Sequence, residues 1–477
     1  MTDQNAFNEL CAITGQQCII GEDIPERYFE PWRGKIGSAI AIVFPESIEH
    51  IQKTITWAKN ECYRLLPQGA RTGLVDASVP SKENSENSVI VSFEKYRSNM
   101  KINVQDQRLI VDAGFLLSEV NEYLKTFGYF LPVNVSSDPM VGAMASTNIG
   151  GSSVLRHGDF RSLMKGIQVV LADVDLSVYD SLQRPIKDNS SLNFTQSFCG
   201  SFGQLGFITS VALKVFPIEK ASTTYWIPLS NDENTALLVN KLESISGDLL
   251  VACEMVSSNV LKATNENYSE LNSKIVIPYV KDQVDVLFVE FATTLENDDI
   301  KNKGEEILAK LVELGLVDDA LNLDSSKTWE IRHSFSESVR NFSRKLITCD
   351  ISTTKDKFFK LRTSIHKEIS KIYPDLVICD FGHVGDGGIH MNIAIPKSLS
   401  DVDFSDEDVK KIRRVVNDLT NFYGGSFSAE HGLGALNSDY YHEYIPKVDK
   451  LLTRSLKIFC DPENILGHSS IDFITGE

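Results

Sequence analysis

His383 and His390 stand seven residues apart in the string FGHVGDGGIHMNI (381–393), and Glu430 and His431 are adjacent in SAEHGLGALN (428–437). The chain has nine histidines, and these two strings hold three of them. On an unbroken strand an odd spacing puts two side chains on opposite faces. The intervening GDGG permits a tight turn, which can return both rings to one side. Two imidazoles and a carboxylate with open positions suit a divalent cation, zinc first, with manganese or cobalt as alternatives. The open positions could take a bidentate α-hydroxy carboxylate. His431 is then available as a base. A lone histidine is more often a satisfied core or surface residue, which is the reading for His50, His366 and His442. Asp386 is read as a turn residue bonding its own backbone.

A second group of residues suits phosphate. PQGARTGL (67–74), SSDPMVGAMASTNIGGSSVLRHGDFRS (136–162) and CGSFGQLGFI (199–208) each set glycines and small residues beside a strand. Glycine lets backbone N–H groups approach an anion, and successive N–H groups form a concavity for phosphate oxygens. Hydroxyls such as Ser137, Ser146 and Thr147 add donors. Each loop alone reads as an ordinary turn. Three in one domain fit a long diphosphate ligand such as a dinucleotide. None is a GxGxxG opening a helix, nor a Walker loop.

These loops need elements to hold them. SAIAIVF (38–44) reads as a buried strand. Ser47 opens a helix with Ile48, Ile51, Ile55 and Ala58 at helical spacing. RLLP (64–67), SVIVSF (88–93) and RLIVDAG (108–114) read as strands, and Gly128 stops a short helix over 118–127. The stretch 134–166 reads as a long functional loop. Strands follow at 166–174 and 206–218, and a boundary is placed near 218. Beyond it come strands at 223–229 and 284–292 and helices at 302–315, 355–373 and 406–425. The second part is therefore α+β, a sheet backed by helices.

The composition bounds the classes. A chain of 477 residues with 42% hydrophobic and 23% charged residues affords two or three cores. A net charge of -18 argues against a nucleic-acid surface. The eight cysteines are scattered and form no CxxC pair, so a reducing, cytoplasmic compartment is expected. No apolar run is long enough for a transmembrane segment.

The order PQGARTGL, MVGAMASTNIGGSSVLRHGDFR, GSFGQLGFIT resembles the FAD-binding domain of the vanillyl-alcohol oxidase / p-cresol methylhydroxylase superfamily. HVGDGGIH, SAEHGLG and DPENIL resemble the FAD-linked oxidase C-terminal domain. Together they resemble the FAD-linked D-2-hydroxyacid dehydrogenases, which include D-2-hydroxyglutarate and D-lactate dehydrogenases. The resemblance implies an α+β fold. It has a two-part FAD-binding domain over 1–218 and an α+β substrate domain with an antiparallel sheet over 219–477, whose last residues return to the first. It implies that Pro67, Gly69, Ala70, Arg71, Thr72, Gly73 and Leu74 wrap the flavin diphosphate. Ser137, Gly142, Ser146, Thr147, Asn148, Gly150 and Gly151 would approach from the other side, and Gly206 and Ile208 would line the flavin or adenosine channel. Covalent attachment usually needs a His or Cys near the first loop. Ala70 and Arg71 stand there, so noncovalent FAD is expected.

The resemblance agrees with a metal at His383, His390 and Glu430 and a base at His431, and it makes Arg332 the arginine for the substrate carboxylate. The implied reaction is oxidation of a small D-2-hydroxy acid to the 2-oxo acid. An external acceptor would reoxidise the flavin: an electron-transferring flavoprotein, a quinone or a cytochrome. Alternatives are a D-lactate-type enzyme, an oxidase using O₂, or a flavin-binding subunit without turnover. Assembly as a homodimer is left open. Four departures bear on the substrate. Asn437 stands where a lysine commonly follows EHGxG, and GHSS (467–470) replaces an NPGK-like ending. Thr348-Cys349-Asp350 replaces a KYD-like segment, and Phe202 replaces a glutamate.

Overall fold

In the computed structural model, residues 4–13, 18–31, 37–75, 77–80, 87–271, 275–296, 298–400 and 404–467 are described. They form two compact units. The first comprises Met1–Gly151, His157–Ile218 and Glu430–Glu477; the second comprises Ser152–Arg156 and Glu219–Ala429.

The first unit has two main sheets. One holds β1 (Cys18–Ile20), β2 (Ala41–Val43), β3 (Arg64–Gln68) and β4 (Ser88–Ser92) in the order β1-β2-β4-β3. β4 runs parallel to both β2 and β3. β2 and β4 read as apolar runs because both faces are covered, one by the helices Gln4–Ile13 and Ile48–Glu61 with Val170 and Phe207, the other by Ile24, Tyr28 and Phe44. The helix Ile48–Glu61 buries Ile51, Ile55 and Ala58, as its spacing predicts. Ser47 caps it by accepting the His50 N–H at 3.2 Å. The remaining strands are β5 (Met100–Asn103), β6 (Arg108–Asp112), β7 (Tyr129–Phe130), β8 (Met164–Val170), β9 (Val178–Asp180), β10 (Phe207–Lys214) and β11 (Phe216–Pro217). Five of them make an antiparallel sheet, β5-β6-β10-β8-β9, and β7 pairs with β11.

The stretch 134–166 is not a plain loop. It contains the helices Val141–Thr147, Val154–His157 and Phe160–Leu163. Gly142 allows close packing here. A Cβ there would lie 2.6 Å from the Cβ of Ala113. The segment 430–467 also packs in this unit. Lys457, fully buried, pairs with Asp461 at 2.6 Å and donates to Gln204 O at 3.0 Å. The expected departure at 468–470 lies outside the described residues.

The second unit is built on β12 (Ala221–Pro228), β13 (Leu250–Val256), β14 (Val286–Thr293), β15 (Leu321–Leu323), β16 (Lys345–Ser352), β17 (Val377–Ile378), β18 (Phe381–Gly382) and β19 (Gly388–Ile395). The order is β15-β12-β14-β13-β18-β19-β16, with β17 on β19, and every pairing is antiparallel. Side chains alternate between two cores. Cys253, Met255, Cys349, Ile351, Ile389 and Met391 face the helices Asp232–Ser246, Ile300–Glu313, Phe358–Ile372 and Asp406–Phe422. Ala252, Val256, Phe288 and Ala394 face the helices Ser258–Glu270 and Ser325–Phe342. This parity decides where the polar residues of these strands go.

Candidate functional site

Glu254, Asp350 and His390 lie on even positions of β13, β16 and β19, so they share the face that meets the helix Ser325–Phe342. Arg332 lies on that helix, between the buried Ile331 and Phe335. The turn delivers His383 to the same cluster. His383 O accepts the N–H groups of Asp386, Gly387 and Gly388 at 3.0, 2.9 and 3.2 Å. Gly387 has φ +95, and a Cβ there would lie 2.0 Å from Thr353 O, so only glycine closes this turn. Asp386 Oδ1 accepts the Gly388 N–H at 3.0 Å, the turn role expected of it. The two imidazoles finish 5.4 Å apart, tilted by 76°.

Each imidazole has a carboxylate at its Nδ1. Glu254 Oε1 lies 3.2 Å from His383 Nδ1, and Asp350 Oδ1 lies 3.5 Å from His390 Nδ1. Glu254 is 1% exposed. Its second oxygen accepts from Arg332 Nε. The Arg332 guanidinium also lies 4.8 Å over the Phe381 ring, which packs 5.2 Å from the His390 ring. Burial pushes the Glu254 carboxyl upward; Arg332 and His383 outweigh it and hold its pKa at about 2. It is therefore a carboxylate at neutral pH.

LVACEMV is otherwise an apolar strand, which hides Glu254 in the sequence. The signal was there, since a buried acidic residue survives only when paired. Asp350 belongs to the Thr348-Cys349-Asp350 departure, and the structure sets it beside His390.

This arrangement fits a divalent cation on the side of the second unit. A histidine that ligates a metal commonly gives its other nitrogen to a carboxylate, which fixes the tautomer. Glu254 and Asp350 stand beside the two Nδ1 atoms, where such a partner sits. Ala429, the residue before Glu430, donates its N–H to Asp350 O at 3.1 Å.

In the first unit, Glu430 Oε1 accepts the Gly151 N–H at 3.1 Å, and a Cβ on Gly150 would meet Glu430 Cγ at 2.7 Å. These glycines therefore hold the Glu430 side chain. His431 follows, half-buried, and Gly432 has φ +83. Phe202 packs beneath Gly432: a Cβ there would lie 2.0 Å from Phe202 Cζ. Asn437 Nδ2 donates to Gly432 O at 2.8 Å. Two of the departures, Phe202 and Asn437, thus shape the loop that carries Glu430 and His431.

The expected flavin residues divide. Pro67 and Gln68 end β3, and Gly69–Leu74 leave the carboxyl end of a strand in a parallel pair, where open α/β sheets place their ligands. Gly69 packs closely, its Cβ position 2.9 Å from Ala143 Cβ, while a Cβ on Gly73 would meet nothing within 4 Å. A loop packed on one side and open on the other suits an extended cofactor. Arg71 reaches Glu94 at 3.6 Å and lies 5.1 Å over Tyr28. Ala70, Thr72, Leu74, Ser137 and Ser146 are half-buried. Thr147 Oγ1 bonds Ala143 O at 2.9 Å, and Asn148 bonds Asp159 and the Arg161 N–H at 3.1 and 2.9 Å. Gly206 has φ +143, and a Cβ there would lie 2.7 Å from Val170 O; Ile208 is buried in the unit's core.

Comparison with known proteins accords with these two units. Residues 39–176 match the FAD binding domain, and residues 220–469 match the FAD linked oxidases, C-terminal domain. Gly206 and Ile208 fall outside both. The chain is 28% identical over 446 residues to a protein of Oryza sativa subsp. indica named probable D-2-hydroxyglutarate dehydrogenase, mitochondrial, covering 91% of this chain and 76% of that one. It is 27% identical over 483 residues to the D-2-hydroxyglutarate dehydrogenase of Stutzerimonas stutzeri, covering 99% of each. Among solved structures, an alkyldihydroxyacetonephosphate synthase superposes with a TM-score of 0.70 at 15% identity, over 98% of this chain and 86% of that one. A p-cresol methylhydroxylase with substrate bound superposes with 0.68 at 16% identity, over 98% of each. The FAD-binding match spans the loop after β3 and the C-terminal-domain match spans His383 and His390: the chain belongs to the FAD-linked oxidases, FAD-dependent oxidoreductases with a FAD-binding domain and a FAD-linked oxidase C-terminal domain.

Proposed function

We propose that the protein oxidises a small D-2-hydroxy acid to the 2-oxo acid, with D-2-hydroxyglutarate the first candidate substrate. The observation that carries this reading is the buried cluster of the second unit, where two carboxylate-backed imidazoles and Arg332 share one face of the sheet. The names of the rice and Stutzerimonas relatives supply the substrate candidate.

Noncovalent FAD would be held by Pro67–Leu74, Ser137 and the 142–151 segment, and a divalent cation, zinc before manganese or cobalt, by His383, His390 and Glu430. When bound, the two supply a two-electron acceptor and a Lewis acid that lowers the pKa of a coordinated hydroxyl. Arg332 binds the substrate carboxylate through its planar fork, which fixes orientation as well as charge. His431 takes the hydroxyl proton at an imidazole nitrogen. The protein is then regenerated by an external acceptor: an electron-transferring flavoprotein, a quinone or a cytochrome. No helix among the described residues is long and apolar enough to cross a membrane. A reducing compartment such as the cytoplasm is the reading its scattered cysteines suggest.

The test is anaerobic bleaching of the flavin by D- and L-lactate, D-2-hydroxyglutarate, D-malate and glycolate, with and without chelator. Bleaching by a D-acid that chelator suppresses is the expected result. A D-lactate preference would follow from the absent lysine at Thr348. Bleaching by none of them sinks the proposal, and bleaching indifferent to chelator removes the metal.

A further inference from the structure

We infer that Glu254 is a positioning residue that sets His383 and Arg332 with a single carboxylate, so that cation binding and substrate-carboxylate binding are coupled through one side chain. The inference rests on the function proposed above and deepens it.

The geometry lies wholly in the second unit. Glu254 sits on β13 opposite Phe288 of β14, with Met255 and Val256 paired to Gly382 and Phe381 of β18. β18 leads directly into His383. The strand that carries the carboxylate is therefore hydrogen-bonded to the strand that delivers the imidazole. One oxygen lies 3.2 Å from His383 Nδ1, and the other accepts from Arg332 Nε. Both consequences are specific to these atoms. A carboxylate at Nδ1 fixes the tautomer that presents Nε2 as an electron pair. A carboxylate at Nε occupies the inner edge of the guanidinium, and within this unit Nη1 and Nη2 meet no described acceptor. That leaves the outer fork for a ligand carboxylate. Phe381, 4.8 Å beneath the guanidinium, holds its plane.

A purely structural alternative exists: a buried carboxylate balancing one buried cation. It accounts for Arg332 alone. It does not require the second oxygen to face an imidazole Nδ1, nor His390 to repeat the pattern with Asp350 at 3.5 Å.

The experiment uses full-length, FAD-loaded protein and the variants Glu254→Gln and Glu254→Asp. Zinc is titrated into chelator-stripped protein by calorimetry. Separately, 2-oxoglutarate is titrated into metal-free protein, with the flavin absorbance band as readout. We expect Glu254→Gln to weaken zinc about 10–100-fold, the usual cost of losing an outer partner of a ligating histidine. We expect it to weaken 2-oxoglutarate as well, and to raise KM more than it lowers kcat, with the yellow colour retained. Glu254→Asp keeps the charge and should recover part of both affinities. It also decides the question if the Gln variant does not fold, because a merely structural carboxylate would leave both affinities unmoved in a folded Asp variant. Wild-type affinities in a folded Glu254→Gln protein overturn the inference. A wild-type protein that binds no zinc overturns the metal reading beforehand, and the 2-oxoglutarate titration then decides the Arg332 half alone.

Discussion

At His383 and His390 the chemistry depends on one nitrogen in each ring. A carboxylate favours a proton on the ring nitrogen that faces it, and Nδ1 of each ring faces one at 3.2 or 3.5 Å. Replacing either histidine with alanine is expected to abolish metal content, measured by elemental analysis, and to reduce turnover at least 100-fold. The flavin spectrum should stay intact, because neither residue belongs to the first unit. A variant that keeps its metal would contradict the assignment. Gly432 carries a different demand. Its φ of +83 and the Phe202 ring against it leave no room for a side chain. Gly432→Ala should cost about 1–3 kcal/mol by overpacking and lower turnover by displacing His431. Adding Phe202→Ala should restore part of both, read by thermal melting and by kinetics. No recovery in the double variant would mean that the backbone conformation, not the ring, sets the requirement.

Single elements are held by charge where strands and helices meet. Arg362, on the helix Phe358–Ile372, pairs with Asp380 Oδ2 at 2.5 Å and Asp285 Oδ2 at 2.6 Å, and His366 lies 3.2 Å from Asp380 Oδ1. Asp285 also accepts the Ser258 N–H at 2.8 Å, which ties the helix Ser258–Glu270 to the same knot. Burial pushes the Asp380 pKa up, but Arg362 and His366 pull it further down, well below the ordinary carboxylate range. A depressed pKa contributes stability that is complete above the unfolded value, about 4 for aspartate, and is lost as pH falls through the folded value. Wild type should therefore exceed Asp380→Asn by about 3–5 kcal/mol in urea melts at pH 7, with the gap narrowing below about pH 4. A gap that is constant from pH 7 to 3 would mean the charge on Asp380 contributes nothing. The helix Asp406–Phe422 offers a smaller case. Ser405 accepts the Asp408 N–H, and Asp408 returns a bond to the Ser405 N–H at 3.0 Å. Ser405→Ala should cost about 1 kcal/mol in the same melts.

Over the whole molecule, bound cofactor is itself a source of stability. A ligand at 100 times its Kd stabilises the unit that binds it by about 2.7 kcal/mol. Removing FAD should lower the midpoint of a thermal transition, and adding it back should restore that midpoint as a function of FAD concentration. A midpoint indifferent to FAD would be incompatible with noncovalent binding by Pro67–Leu74. Much of the fold was legible because local rules act over short distances. The helix Ile48–Glu61 followed from apolar spacing and its serine cap, and the helix-backed sheet of the second unit from its run of strands and helices, while its antiparallel character came from the family resemblance. The 134–166 stretch was not legible, because a glycine that permits helix-to-strand contact looks the same in sequence as one that permits a turn.

Residue types and spacing determined on their own that this chain carries phosphate-suited loops and a turn-linked histidine pair, and the family resemblance singled out Arg332. Each of those is a property of neighbours along the chain. Only the tertiary structure decided that Glu254, nearly 80 residues from Arg332, closes against it, that Asp350 stands behind His390, and that Phe202 lies under Gly432. Those contacts join positions whose separation in sequence carries no period. The first two are settled by strand register and sheet parity, which exist only once the strands have paired, and the third by the packing of two loops.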